Sequence, residues 1–331
     1  MVRNKTIKIF FKYFFGPVLF VGLSFSIYQQ ILHQPHLKQS WEQIKASFAS
    51  VKIVYLLLAF VLIFVNWGLE SWKWKLLVTS VRPIKFFDAY KAVLSGVSFS
   101  VTLPNRVGEY IGRMLYQPEG GRLKIISLAI VGGLAQLLVT LFCGIIGLVV
   151  LKKELLEAYP QFIIWYQFFL YGLLLVSGFL AIVYFKVSAV VALFSRWLSL
   201  HHLLYLVESL QKFNGSFLLN ILLISSLRYS VFLLQYMAMF ALFGVDILPG
   251  VAISVMSVVF LALAVIPSIA LVEVGLRGEV SLRLLGLFSA NSLGIGFTSV
   301  TIWAINLVLP ALIGTLFLLN VKLFAKNGET S

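Results

Sequence analysis

Ala92-Val93-Leu94-Ser95-Gly96-Val97-Ser98-Phe99-Ser100-Val101-Thr102-Leu103-Pro104-Asn105 carries no Lys, Arg, Asp or Glu, and then breaks into Arg106, Gly108 and Glu109. A helix needs about 20 apolar residues to cross a bilayer, so this run is too short to cross and too apolar to face water. Read as a crossing, it inverts everything downstream. Read as a hairpin that enters and leaves on one side, it does not. A second apolar segment, 247–272, contains Pro267 and ends at Glu273, followed by Gly275, Arg277, Gly278 and Glu279. It poses the same choice.

The rest of the chain sets the surroundings for that choice. Only 11% of its 331 residues are charged and 60% are hydrophobic, with a mean hydropathy of +0.99. Soluble domains carry about 25% charge, so a water-facing globular fold is excluded. Segments free of charge lie at 13–37, 53–69, 92–105, 125–151, 158–185, 229–245, 247–272 and 284–321. The net charge of +14 would suit nucleic acid in a soluble chain, but here the cations cluster in short segments between apolar runs. Orientation in a membrane explains them, and no nucleic-acid partner is expected. Arg3, Lys5, Lys8 and Lys12 precede the first apolar stretch, and no small-residue cleavage site follows, so it reads as an uncleaved first span.

Positive charge decides the topology. With re-entrant hairpins at about 92–124 and 248–292, 18 of the 26 basic residues fall on the cytoplasmic side and 5 outside, while Arg228, Arg277 and Arg283 lie at membrane depth. Full crossings at both segments would even out the two sides, against the positive-inside rule. The expectation is an all-α polytopic membrane protein with one transmembrane domain over 1–331. It has six transmembrane helices plus two oppositely oriented re-entrant hairpins in an inverted repeat, lies in the cytoplasmic (inner) membrane and keeps both termini cytoplasmic. Interrupted apolar segments at corresponding places in two halves point to a binding site near the midplane. The stretch 187–213, with Arg196, His201, His202, Glu208 and Lys212 among apolar residues, reads as an interfacial amphipathic helix.

Charge at membrane depth costs about 2.5–3.5 kcal/mol per group even on a lenient scale. Arg106, Glu109, Arg113, Arg228, Glu273, Arg277 and Glu279 are therefore the candidate substrate-binding residues, with Glu70 beside them on a flanking span. Ion pairing alone would also hold them, since Glu109 precedes Arg113 by four positions, Glu273 precedes Arg277 by four, and Glu279 precedes Arg283 by four. With Arg283 the cations are five, all arginine, whose planar fork binds phosphate or carboxylate at two points, and they outnumber the four carboxylates by one. That favours an anionic guest. Pro104, Gly108, Pro267, Gly275 and Gly278 would break the helices and let the backbone approach a headgroup closely. Trp67, Trp72 and Trp74 with Lys73 and Lys75 read as an anchoring belt at the cytoplasmic interface. His33 and His36 lack carboxylate neighbours and Cys143 is the single cysteine, so no metal site, disulfide or cofactor is expected. No P-loop, nucleophile elbow or HExxH occurs.

Leu103-Pro104-Asn105-Arg106-Val107-Gly108-Glu109 with Arg113, and Ile266-Pro267-Ser268 followed by Gly275-Leu276-Arg277-Gly278-Glu279, resemble the two signatures of the lysylphosphatidylglycerol synthase transmembrane-region family, also called the flippase-like domain family. In the second block this sequence has Gly278 between arginine and glutamate. The resemblance implies a membrane domain that moves an amphiphilic lipid between leaflets. In two-domain members a cytoplasmic aminoacyl-transferase domain makes that lipid, and the chain reaching Ser331 without one is expected not to be a synthase.

Three functions compete. The first is a transporter or flippase for a phospholipid or lipid-linked anionic headgroup, and not an enzyme. The second is an intramembrane transferase acting on a lipid phosphate. The third is a non-catalytic membrane scaffold. A transferase needs a donor site in its loops, and those are short and hold few carboxylates, Asp88, Glu119, Glu154, Glu157 and Asp246 among them, which favours transport. The partner expected is a membrane lipid. A second copy of the chain and a separate lipid-synthesising enzyme are the protein partners left open.

Overall fold

The computed structural model describes residues 37–102, 107–116, 122–190, 213–266 and 270–327, with isolated positions at 21, 25, 28, 29, 32 and 193. Most of the first expected span, 13–37, and most of the interfacial helix at 187–213 lie outside the described residues, as do Pro104, Arg106 and Pro267.

Every regular element among the described residues is helical. In chain order they are α1 (Leu37–Phe48), α2 (Ile53–Thr79), α3 (Phe86–Thr102), α4 (Val107–Met114), α5 (Arg122–Val150), α6 (Lys152–Ala158), α7 (Ile163–Phe185), α8 (Gly215–Phe243), α9 (Pro249–Val265), α10 (Ala270–Leu285), α11 (Ser292–Trp303) and α12 (Leu309–Asn327). A 3-10 turn at Pro160–Phe162 leads into α7, and a π-helical turn, Ala304–Val308, joins α11 to α12. Five stretches are long and apolar enough to cross a membrane: Ile53–Thr79, Lys124–Val150, Pro160–Phe185, Gly215–Phe243 and Ser292–Leu318. α9 is apolar but shorter.

The burial pattern is that of a protein dissolved in lipid. Phe64, Phe142 and Leu175 are exposed, whereas Asn66, Glu70, Lys73 and Gln235 are buried. In α7 only 11% of the apolar window is covered by protein, so that helix presents nearly its whole circumference outward.

Where charge interrupts the apolar pattern, the helices come in short packed pairs. α3 turns into α4 and packs on it, and α9 does the same with α10. The first pair starts at Phe86, earlier than the expected 92, because the helix takes in Asp88 in its first turn and Lys91 without ending there. Within this pair Gly108 and Gly112 are pressed against the backbones of Phe99 and of Ser95 and Gly96, where a Cβ would collide. The backbone that Gly108 approaches is thus that of its own hairpin, not a headgroup. Gly275 and Gly278 are likewise buried on α10.

Packing between the halves is reciprocal. α2 crosses α8; α5 packs on α9; α12 packs on α3. Glycines make both of the latter contacts. A Cβ on Gly144 would lie 2.6 Å from Leu261 and one on Gly147 2.6 Å from the Ser254 carbonyl, while one on Gly314 would strike the Leu94 carbonyl. Ser98 Oγ donates to the Ala311 carbonyl at 2.6 Å across the second contact. At one rim, Asn214 caps α8 by accepting from Phe217 N at 2.8 Å. At the other, Gly244 closes α8 in the left-handed region (φ +67°), and Asn291 Nδ2 donates to the carbonyls of Phe243 and Gly244 at 3.0 and 2.8 Å.

Candidate functional site

Glu70 lies on the buried face of α2, one turn before Lys73, and its carboxylate is met by three cations. Lys73 Nζ lies 2.8 Å from Oε2, Arg228 Nη1 from α8 2.9 Å from the same oxygen, and Arg113 Nη2 from α4 2.8 Å from Oε1. All four side chains are less than one-tenth exposed. Aromatic faces complete the enclosure: the Arg113 guanidinium lies 4.8 Å from the Trp74 ring, and that of Arg228 lies 5.1 Å from Trp67 and 5.5 Å from Phe232. Quadrupoles of that sense stabilise cations shielded from water.

Arg228 is also held from behind. Its Nε donates to Asn66 Oδ1 at 2.7 Å; Asn66 Nδ2 donates to Asn306 Oδ1 at 3.1 Å; Asn306 Nδ2 donates to Gln235 Oε1 at 3.0 Å; and Gln235 Nε2 ends the chain on the Ala59 carbonyl at 3.1 Å. Asn306 sits in the π-helical turn. Extra-residue turns of that kind mark functional positions in helices often enough to be worth following.

A second charged pair lies on α10. Arg277 Nη2 is 2.6 Å from Glu273 Oε1, and its Nη1 donates to Tyr236 OH at 2.9 Å. Both charged groups face the same cavity as the Glu70 cluster. The cavity holds about 520 Å³ and is lined by Glu70, Lys73, Glu109, Arg113, Arg228, Glu273 and Arg277 together with apolar side chains such as Leu137, Phe232 and Leu263. Its size is that of a small-molecule site. Among the described residues no group of His, Cys, Asp and Glu is placed to hold a metal ion.

Spacing along the chain ties the two sets together. Glu109 and Glu273 are 164 residues apart, as are Arg113 and Arg277. Asn66 and Arg228, which touch, are 162 apart, as are Trp74 and Tyr236, the aromatic partners of Arg113 and Arg277.

A family model described as lysylphosphatidylglycerol synthase TM region matches residues 17–319. The chain belongs to this family. No curated protein and no solved structure gives a match.

In this lysylphosphatidylglycerol synthase TM region, five of the seven charged candidates read from the sequence, Glu109, Arg113, Arg228, Glu273 and Arg277, line one cavity. Glu279 is not among them; it is buried on α10 and paired with the exposed Arg283 at 2.5 Å. Arg113 and Arg277 both line the cavity, while Arg106 lies outside the described residues. Lys73 and Trp74 are a correction. They are buried beside Glu70 rather than anchoring at the interface, while Trp72, just before them in the chain, is exposed. The signal was the Glu70-to-Lys73 spacing of one helical turn, hidden by tryptophans that look like a belt. Asn66, Gln235, Asn306 and Tyr236 carry no charge and sit within apolar runs, so their polarity does not single them out in the sequence.

Proposed function

We propose that the protein is a lipid flippase of the cytoplasmic membrane, moving a phospholipid or lipid-linked anionic headgroup between leaflets without covalent chemistry. The observation that carries this reading is the cavity itself. Charged groups from both halves surround a space of about 520 Å³ inside a bundle whose outer surface is apolar. A headgroup could shed water there while its acyl chains stayed in the bilayer, so only the polar part needs shielding. Arginine stacked on aromatic rings and shared with a carboxylate can exchange that carboxylate for a phosphate.

On the same reading, the paired helices α3–α4 and α9–α10 are oppositely inserted re-entrant hairpins of an inverted repeat. The 162- and 164-residue spacings and the reciprocal packing of α5 on α9 and α12 on α3 support it. Arg113 and Arg277 become equivalent stations in the two halves, and both termini are cytoplasmic.

Purified protein in liposomes should accelerate leaflet exchange of a headgroup-labelled anionic lipid, read by dithionite quenching against protein-free vesicles. Arg113→Lys and Arg277→Lys keep the charge but lose the two-point fork. Each should slow exchange at least about tenfold, the worth of one charge-assisted hydrogen bond, at unchanged protein level. Chemical conversion of the labelled lipid in place of exchange would install the transferase reading instead.

A further inference from the structure

α5 and α9 are locked together along only part of their length. A Cβ on Gly147 would meet the Ser254 carbonyl and Val258, and one on Gly144 would meet Leu261, so the two helices run antiparallel. α9 then stops at Val265. Ile266 is extended (φ −89°, ψ +109°), the conformation that a following proline favours, and α10 folds back on α9 to pack against α11 and α3. Leu261 is level with Gly144, so the end of α9 falls level with Thr140, and α5 reaches back from there to Arg122. These further turns carry two adjoining stripes. Gly132, Gln136 and Thr140 face the charged part of the cavity, where the Gly132 carbonyl accepts from Lys73 Nζ at 3.4 Å. Ile130, Gly133 and Leu137 repeat at helical spacing beside them and line the same cavity. There the lining comes to the outer surface: Ile130 is 46% exposed and Gly133 is exposed, as are Ala264 and Ile266 from the end of α9.

Resting on the flippase reading above, we infer that this slot holds the acyl chains of the transported lipid, and that the lipid enters and leaves the cavity sideways, between α5 and the end of α9. The order of chemistry along the wall carries the argument. It runs from the cations around Glu70, through the polar stripe of α5, to an apolar and exposed edge, and an amphiphile has the same order from headgroup to chain. Each methylene laid on Ile130, Leu137 or Ile266 stays out of water while the headgroup lies among the charges. A soluble anion would use the charged part and gain nothing from that edge. Gly133 leaves room for the chains: a Cβ there would meet only the Tyr110 hydroxyl of α4, at 3.9 Å. The Gly144 and Gly147 contacts close the other end of the same helix pair, so the lipid passes where α9 ends and not along the whole seam.

The test uses the full chain in phosphatidylcholine vesicles containing phosphatidylglycerol, with one or the other lipid carrying a photoactivatable diazirine near the end of an acyl chain. Adducts at residues 130–137 and 264–266 should come several-fold more from the phosphatidylglycerol probe, whose headgroup the arginines hold. Adducts on α7, which bulk lipid wets, should form equally from both. Gly133→Trp and Ala264→Trp fill the slot without touching a charge. Each should slow leaflet exchange at least about tenfold, the rate equivalent of overfilling a packed site, while Leu175→Trp on the exposed side of α7 leaves it unchanged. If one slot variant fails to reach the membrane, the other and the adduct pattern still decide. Slot adducts that are absent or equal from the two probes mean that protein or bulk lipid fills the slot, and they overturn the acyl-chain assignment while leaving transport standing. Undiminished exchange in the slot variants does the same. Enriched slot adducts with no exchange by the natural protein keep the lipid site and remove transport instead.

Discussion

Glu70 accepts from three cations at once, and its own position depends on how well each of them is satisfied elsewhere. Arg228 is the best supported, because Asn66 Oδ1 takes its Nε at 2.7 Å. Replacing Asn66 with Leu removes that acceptor and also strands Asn306 Oδ1, which now receives Asn66 Nδ2. Leaving a buried donor open costs about 1–3 kcal/mol, more beside a charge. Asn66→Leu should therefore lower the thermal midpoint in detergent and reduce exchange, whereas Asn66→Gln, which keeps both functions, should recover part of each. An unshifted midpoint for Asn66→Leu would show that the chain from Arg228 to Gln235 carries no energy. The charged members of this constellation were legible from sequence because any charge in an apolar run stands out. Its amides were not, since a single Asn or Gln on a span is equally suited to a lipid interface or to a buried network until the facing helix is known.

The helices are positioned by close backbone approach more than by side-chain interdigitation. Without a hydrophobic drive between apolar helices in lipid, small residues set the contacts. Gly314 lies where any Cβ would strike the Leu94 carbonyl, next to the Ser98 to Ala311 hydrogen bond. Gly314→Ala should cost about 1–3 kcal/mol through overpacking, measured as a fall in thermal midpoint. Gly172→Ala, on the lipid-facing α7 with nothing within 4 Å of the added atom, should leave the midpoint unchanged or slightly raised. Equal effects at the two sites would refute the close-contact account. Helix identity and most boundaries could be read from the sequence: the expected spans at 125–151 and 158–185 are close to Arg122–Val150 and Pro160–Phe185. What could not be read was partnership. Gly314 reads as one more small residue in a span until Leu94 is known to face it.

For the molecule as a whole, the proposal that the paired short helices are re-entrant dictates which loops share a side. Cysteines introduced at Lys85→Cys and Lys124→Cys in a Cys143→Ser background should label from the cytoplasmic side, and Asp246→Cys from the other. Full crossings by the α3–α4 segment would put positions 85 and 124 on opposite faces. The interlock between halves also sets a timetable for biogenesis. Ser98 and Ala311 are 213 residues apart in the chain. At roughly 5–20 residues per second the ribosome needs about 10–40 s to supply the second after the first. Through that interval the α3–α4 pair, carrying Glu109 and Arg113, waits in the membrane with the groove for α12 unfilled. The nascent first half is therefore the stage most dependent on the insertion machinery, and a lesion in α12 should prolong that exposure into the finished chain and be felt as its degradation after synthesis.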